Sequence, residues 1–450
     1  MANVATAVGR ASLVERALAW LIFLHYLVYE VVYFFYPSVY PTLGLLSNTW
    51  KLAMPVGLAL VAGLPNLNLL RRERAVLSAL LLFGLFWWWA LVTSFGTPAS
   101  LLEWAKLFPR LAFFFAVALL FCRNPRVCVA TAKLMVAWAL LSVAQYVVLN
   151  LVGPLAASSF YAWGGQRAGP GGVLGNVTSM MFIPGLGSPV VRLAGFWNEP
   201  SNACASLFAC FFLARWIAAV TGDPRWRRAG LICLMGGFAS LSNAGYVALA
   251  MAVLFGAVVR MRLETAVVRR LAVVGFAVAM VVLAVLGRLY IAEHYGDNPY
   301  LRAITGLRLN PDEYLDGGLN MALGGRITLM VDAFEMLRQH PFGAGLLGVD
   351  ADQSQISASA PVGWLLMTGP IGLLLILSRD AWVWRAFARD GSAEPAVRFA
   401  GQAFVVVAVQ HVAYGSWMNP LYFILSAMVL ATASWRRRGI LPAAAGNRQR

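Results

Sequence analysis

Charge is what this sequence has least of. Asp, Glu, Lys and Arg make up 12% of its 450 residues, about half the share of an average soluble protein. Acid is scarcer than base: 19 Asp and Glu stand against 35 Lys and Arg, a formal net charge of +16. A soluble globular class is excluded on that ground. Histidine occurs 4 times and cysteine 5 times. Cys122, Cys128, Cys204, Cys210 and Cys233 all fall in or beside apolar runs, and their spacing suits neither a zinc site nor a disulfide framework. Walker A, H-E-x-x-H, G-x-S-x-G and C-x-x-C patterns are missing, so ATP-driven and zinc- or serine-hydrolase chemistry are not expected. No D-x-D stands where it would hold a nucleotide-sugar's metal. Asp350 and Asp352 stand alone, and Asp312-Glu313 is the other close pair. There is no internal repeat, no heptad and no small-residue cleavage site after the first apolar run, so no cleaved signal peptide is expected.

What remains is hydrophobicity. Apolar residues make up 60% of the chain and mean hydropathy is +0.71. Continuous apolar runs of ~18 or more residues recur along nearly the whole length, each long enough to cross a bilayer as a helix. Continuous runs rather than short alternating ones exclude a membrane β-barrel. The expected fold is all-α: one polytopic integral membrane domain over 1–450, with about twelve spans. These are placed at 18–36, 43–63, 75–94, 101–121, 127–151, after Glu199, up to Ser240, and at 244–259, 271–291, 360–377, 399–414 and 421–435. Residues 153–198 form a Gly/Ser/Pro-rich connection. Residues 293–357 form a second, longer loop containing an amphipathic helix.

The basic residues do not form a nucleic-acid patch. They cluster in alternate short turns (Arg71-Arg72-Arg74, Arg225-Arg227-Arg228, Arg260 to Arg270, Arg379 to Arg398, Arg436-Arg437-Arg438), and the acidic residues favour the other side. This positive-inside pattern places both termini in the cytoplasm and both long loops outside.

Three constellations could carry chemistry. The first is R-L-A-G-F-W-N-E-P-S-N at 192–202. It puts Glu199 at the positive end of a helix dipole, Pro200 at the first helical position, and Arg192 one or two turns away. Headgroup anchoring by Arg192 and dipole stabilisation by Glu199 explain the same residues without function. The second is Gly324-Gly325-Arg326, opening an amphipathic segment that ends in L-R-Q-H-P-F-G-A-G at 337–345. Arg326 in a first helical turn opposes the dipole, as an anion-holding residue would; an ordinary interfacial helix is the alternative. The third is charge inside the outer halves of spans: Glu30, Lys106, Arg110, Arg288 and His411. Such groups face a polar cavity or one another. His411 also suits a hydrogen-bonded core role, and Trp87-Trp88-Trp89 suits an interfacial belt.

At these residues the chain resembles the O-antigen ligase and polymerase superfamily (Wzy-type polymerases and WaaL-type ligases). The matching pieces are R-x-x-G-F-x-N-E-P-S-N at Arg192 to Asn202, S-L-S-N-A-G-Y at Ser240 to Tyr246, Gly325-Arg326 with L-R-x-H-P-F-G-A-G at Leu337 to Gly345, and G-P-I-G at Gly369 to Gly372. They follow the family's order. The first five spans match only in hydropathy. The ligase branch carries a His shortly before its G-x-x-G. Here Ala358 stands in that place, His340 belongs to the H-P-F-G piece, and the Glu-Pro-Ser piece is nearer the polymerases.

The resemblance implies a GT-C-like glycosyltransferase of the bacterial inner membrane. It would polymerise polyprenyl-diphosphate-linked oligosaccharide units at the periplasmic face, with a chain-length regulator as a possible partner. A sugar hydroxyl attacks the anomeric carbon and lipid diphosphate leaves. Arg192 and Arg326 would stabilise the leaving group, with Arg288 or Arg110 in reserve, and Glu199 would take the hydroxyl's proton. Asn198, Asn202, Arg338 and His340 would bind substrate. No metal and no cofactor is implied, since guanidinium serves as the electrophile. The rivals are an O-antigen ligase acting on lipid A core and a polysaccharide flippase or transporter. A transporter should show internal repeats, and none is found.

Overall fold

The computed structural model describes residues 11–30, 41–95, 98–152, 180–181, 190–191, 193, 197, 200–260, 334–335, 337–346, 360–390, 394–414 and 419–441, with isolated positions between 275 and 298. Among these the chain is helical apart from one two-residue ladder, β1 (Met180–Met181) antiparallel to β2 (Val190–Val191). The helices are α1 (Leu13–Glu30), α2 (Pro41–Leu58), α3 (Arg74–Ser94), α4 (Pro98–Ala105), α5 (Leu107–Arg123) and α6 (Pro125–Val152). After the ladder come α7 (Pro200–Thr221), α8 (Arg225–Ala239), α9 (Asn243–Arg260), α10 (Ala360–Asp390), α11 (Pro395–Tyr414) and α12 (Pro420–Arg437).

Among the described residues seven stretches are long and apolar enough to cross a membrane: Leu45–Leu69, Arg74–Ser94, Ser100–Arg123, Pro125–Val148, Ser201–Thr221, Asn243–Arg260 and Val362–Asp390. The molecule is a helical membrane protein. Residues 275–295 include further helical positions, where Val282, Leu286 and Tyr290 recur every four residues and are exposed. That spacing puts them on one face of a helix.

Two helices organise the bundle. Helix α7 packs on α6, α8, α9 and α11, and α12 packs on α5, α10 and α11. Every residue of α12 from Pro420 to Trp435 is buried. Small residues allow the close approaches. A Cβ at Gly237 would strike the Phe208 ring, and one at Gly256 would strike the Gln402 amide. In a bilayer, where lipid is as apolar as leucine, such packing takes over from the hydrophobic effect.

Several helices depart from the expected spans, each for a physical reason. The fourth span is broken at Lys106. Pro109 has no N–H to offer the carbonyl of Ala105, so α4 ends there and α5 begins at Leu107. The second continues past α2 through a π turn (Ala59–Gly63) and a 3₁₀ segment (Leu64–Leu69). There the Asn66 amide donates to Ala62 O at 2.6 Å and accepts from Arg123 Nη1 at 2.5 Å. The largest correction is α10. The expectation of a loop from Arg379 onward fails, because one kinked helix runs on to Asp390. Arg379 is only 1% exposed.

The Arg436-Arg437-Arg438 tail is a clasp. Arg437 donates Nη2 to Glu73 Oε2 and Nη1 to Asp390 Oδ2, each at 3.1 Å. Arg436 donates to Asp390 O at 2.8 Å, and Ser434 Oγ donates to Glu73 Oε1 at 2.5 Å. Glu73 and Asp390 are both buried. The clasp joins the start of α3, the end of α10 and the end of α12 at one end of the bundle.

Candidate functional site

The two halves of the sequence motif set come together in pairs at the end of the bundle opposite the clasp. The first pair is built on α7. Leu193 N donates to Ala239 O at 3.0 Å. Trp197, 1% exposed, donates its indole N–H to Tyr26 Oη at 2.9 Å. These two bonds tie the 192–202 segment to the end of α8 and to α1. The S-L-S-N-A-G-Y turn lies beside it. Leu241 adopts a left-handed φ of 46° there, and Tyr246 N closes the turn on Ser242 O at 3.0 Å. A Cβ at Gly245 would meet the Cys204 Cβ at 2.8 Å, so α9 can start against α7 only with glycine at that point. Asn202 stands in the first turn of α7, half-buried.

The second pair joins H-P-F-G-A-G to G-P-I-G. Helix α10 is broken at Gly369 (φ 67°, ψ −176°), immediately before Pro370. Pro370 cannot donate to Leu366 O, and the kink removes the next donors as well. Inside a bilayer each freed carbonyl must find another partner. Three do so in series. Ala344 N donates to Leu366 O at 2.8 Å, and Gly345 N donates to Met367 O at 3.0 Å. Trp89 Nε1 donates to Thr368 O at 2.6 Å. The approach is close enough to demand glycine on both sides. Gly343 has φ 102°, and a Cβ there would lie 2.6 Å from Met367 O. One on Gly369 would lie 2.6 Å from Phe342 O. Trp89, read from sequence as one of an interfacial belt, is a helix cap instead.

Beside the dock, His340 is exposed and accepts at its carbonyl from Gly343 N at 2.9 Å. Arg338 is exposed and pairs with Glu335 at 3.4 Å. Phe342 and Phe334 are 66% and 63% exposed. The loop thus presents Arg338, His340 and aromatic rings outward while its amides hold α10.

Arg110 lies near the start of α5 with its Nε buried and unpartnered among the described residues. Lys51 of α2 lies within its electrostatic reach. Lys51 Nζ sits 4.9 Å over the Tyr29 ring. His25, 2% exposed, packs on Phe113 of α5 at 4.4 Å. Lys51 was not singled out from sequence; a lysine within an apolar run was the available signal.

Sequence reasoning also missed a buried triad. Arg379 Nε donates to Asp380 Oδ1 at 2.8 Å, and Tyr422 Oη donates to Asp380 Oδ2. The guanidinium lies 5.1 Å from the Tyr422 ring and 5.2 Å from Phe83. With the charge neutralised and walled by rings, this group ties α3, α10 and α12 together rather than meeting a ligand. His411 packs on Tyr422 at 5.5 Å. Neither of its ring nitrogens is hydrogen-bonded among the described residues, which departs from the bonded core role expected of it.

Arg192, Asn198, Glu199, Arg288 and Arg326 lie outside the described residues, as do the Glu30 side chain and most of 153–198 and 293–357. No cluster of His, Cys, Asp and Glu that could hold a metal occurs among the described residues. No protein-family model, no curated protein and no solved structure matches the chain.

Proposed function

We propose that the protein is a membrane glycosyltransferase of the polysaccharide-polymerase type. It extends polyprenyl-diphosphate-linked oligosaccharides at the outer face of the bacterial inner membrane. The observation that carries the reading is the dock of residues 340–345 on the break in α10. It fixes the C-terminal end of the Arg326–Arg338 segment at one end of the membrane bundle, where a lipid-borne diphosphate would sit.

In this reading about twelve spans form one domain with both termini in the cytoplasm, and residues 153–198 and 293–357 lie in the periplasm. The leaving diphosphate gathers negative charge as the glycosidic bond breaks. Arg192 and Arg326 stabilise it, and Glu199 accepts the proton of the attacking hydroxyl. Arg110, Arg288, Arg338, His340, Asn198 and Asn202 hold the substrate's phosphate and sugar groups. The reaction needs neither metal nor cofactor. A chain-length regulator is the natural protein partner of a polymerase whose product length is controlled.

Glu199→Gln and Arg326→Ala test the assignment. Each removes charge without opening a core cavity, so expression and folding should hold while chain growth is abolished. Near wild-type polymer from either variant takes that residue out of the mechanism. The exposed Arg338, His340 and rings of the docked loop favour an enzyme acting on a surface-presented lipid over a flippase with a central path.

A further inference from the structure

Arg110 holds phosphate in the mechanism above, but Lys51, on the helix packed against it, has no part there. Both are half-buried, and both lie within apolar stretches long enough to cross a bilayer. At 1.5 Å per residue Lys51 is about 9 Å along the span that begins at Leu45. Arg110 is in the first turn of α5, which packs against α2. The two helices pack together, and ring contacts lead from Lys51 through Tyr29 and His25 to Phe113, one turn beyond Arg110. Neither cation makes an ion pair with an Asp or Glu among the described residues, where nine other Lys or Arg pairs of that kind occur. The buried Arg110 Nε–H has no acceptor there.

Charges at this depth normally pair with an opposite charge or line a polar path. Here two cations stand on helices that pack together. The surroundings are aromatic: Lys51 lies over Tyr29, and His25 bridges Tyr29 at 5.2 Å and Phe113 at 4.4 Å. Leu52, next to Lys51, and Phe108, two residues before Arg110, are 47% and 45% exposed, so each of the two helices also has a lipid-facing side. Tyr26, on the same helix as His25 and Tyr29, holds Trp197 of the 192–202 motif.

We infer that Lys51 and Arg110 form an anion site within the span region, between α1, α2 and α5, that takes the phosphate or diphosphate group of a lipid. Lysine supplies a point charge, and the arginine Nε–H supplies a directed donor. The exposed apolar sides of the same helices leave the lipid's chain in the bilayer beside the site. The natural ligand, a polyprenyl diphosphate, rests on the glycosyl-transfer reading. Binding itself does not, because it is measured with no acceptor present.

Farnesyl diphosphate, inorganic diphosphate and farnesol are the probes, titrated by calorimetry against the full chain in detergent micelles. The expected result is that farnesyl diphosphate binds and that Lys51→Gln and Arg110→Gln each weaken it about tenfold, the loss of one charge-assisted contact. Lys51→Arg and Arg110→Lys keep charge and should retain most of the affinity, which separates charge loss from misfolding. Inorganic diphosphate weakened in step with farnesyl diphosphate assigns the anion itself. A response confined to the lipid form assigns anion and chain together, and both results support the site. Unchanged affinity in the double Lys51→Gln/Arg110→Gln variant overturns the inference, as does equal weakening of farnesol. Normal binding with no chain growth would refute the glycosyl-transfer reading alone.

Discussion

Replacing Asp380 with Asn keeps the shape of the Arg379–Asp380–Tyr422 triad and removes its negative charge. Arg379 is 1% exposed and Asp380 6%, so neither can turn to water. Asn can still accept from Tyr422, so that hydrogen bond survives in weaker form. The guanidinium is left charged in an apolar wall, a change that costs about 3–5 kcal/mol in buried pairs. The rings at 5.1–5.8 Å hold the guanidinium equally in both proteins and leave that difference unchanged. The expected loss is about 3 kcal/mol, or two orders of magnitude in the folding equilibrium. Equilibrium unfolding in mixed dodecylmaltoside and SDS micelles, followed by tryptophan fluorescence, measures it. Arg379→Met alone should cost a similar amount by stranding the carboxylate. The double variant Arg379→Met/Asp380→Asn should cost clearly less than the sum, with a coupling of about 2 kcal/mol or more. A loss under about 1 kcal/mol for Asp380→Asn, or strict additivity in the cycle, refutes the view that this pair is a buried, mutually neutralised tie.

Further expectations concern the α10 dock and the bundle's ends. Gly369→Ala forces a side chain into backbone reserved for glycine and against Phe342, so it should cost about 3 kcal/mol in the same unfolding assay through strain and lost docking bonds. Trp89→Phe removes the bond to Thr368 O together with part of the ring and should cost at least about 1 kcal/mol; protease cleavage near residue 343 should rise in both variants. Two carboxylates outside the spans give opposite pH effects. Burial raises Glu15, but hydrogen bonds with Asn124 and Ser12 and the charge of Arg126 outweigh it and leave it below its ordinary 4.5. Its contribution is therefore present above 4.5 and is lost as pH falls through the lowered value. Burial holds Glu394 above 4.5 despite Arg436 and Arg398, so stability falls as pH rises through that raised value. Glu15→Gln should flatten the acid-side loss, and Glu394→Gln should flatten the decline just above 4.5.

Much of the helical frame was legible from hydropathy. The runs at 75–94 and 127–151 correspond to Arg74–Ser94 and Pro125–Val152, and Pro200 does open α7. Those helices are single apolar stretches bounded by charge or proline, and a bilayer leaves such stretches few alternatives. Arg379 misled for a related reason. A hydropathy reading counts its charge, whereas the bundle pairs it with the next residue and encloses it in rings. The break in α10 was visible as Gly369-Pro370, and the H-P-F-G-A-G piece was visible too. That one supplies the donors the other lacks is a contact between distant segments, which a linear pattern does not contain. Lys51 went unremarked because its meaning depends on Arg110, a neighbour only through helix packing.

The most direct test of the account is an acceptor experiment. Purified protein is placed in liposomes with lipid-linked oligosaccharide repeat units as the sole substrate, and products are resolved by gel and mass spectrometry. The account predicts a ladder of lengthening lipid-linked glycans with release of lipid diphosphate, without added metal. Products that appear only when lipid A core is supplied, or lipid movement across the bilayer with no new glycosidic bond, would contradict it.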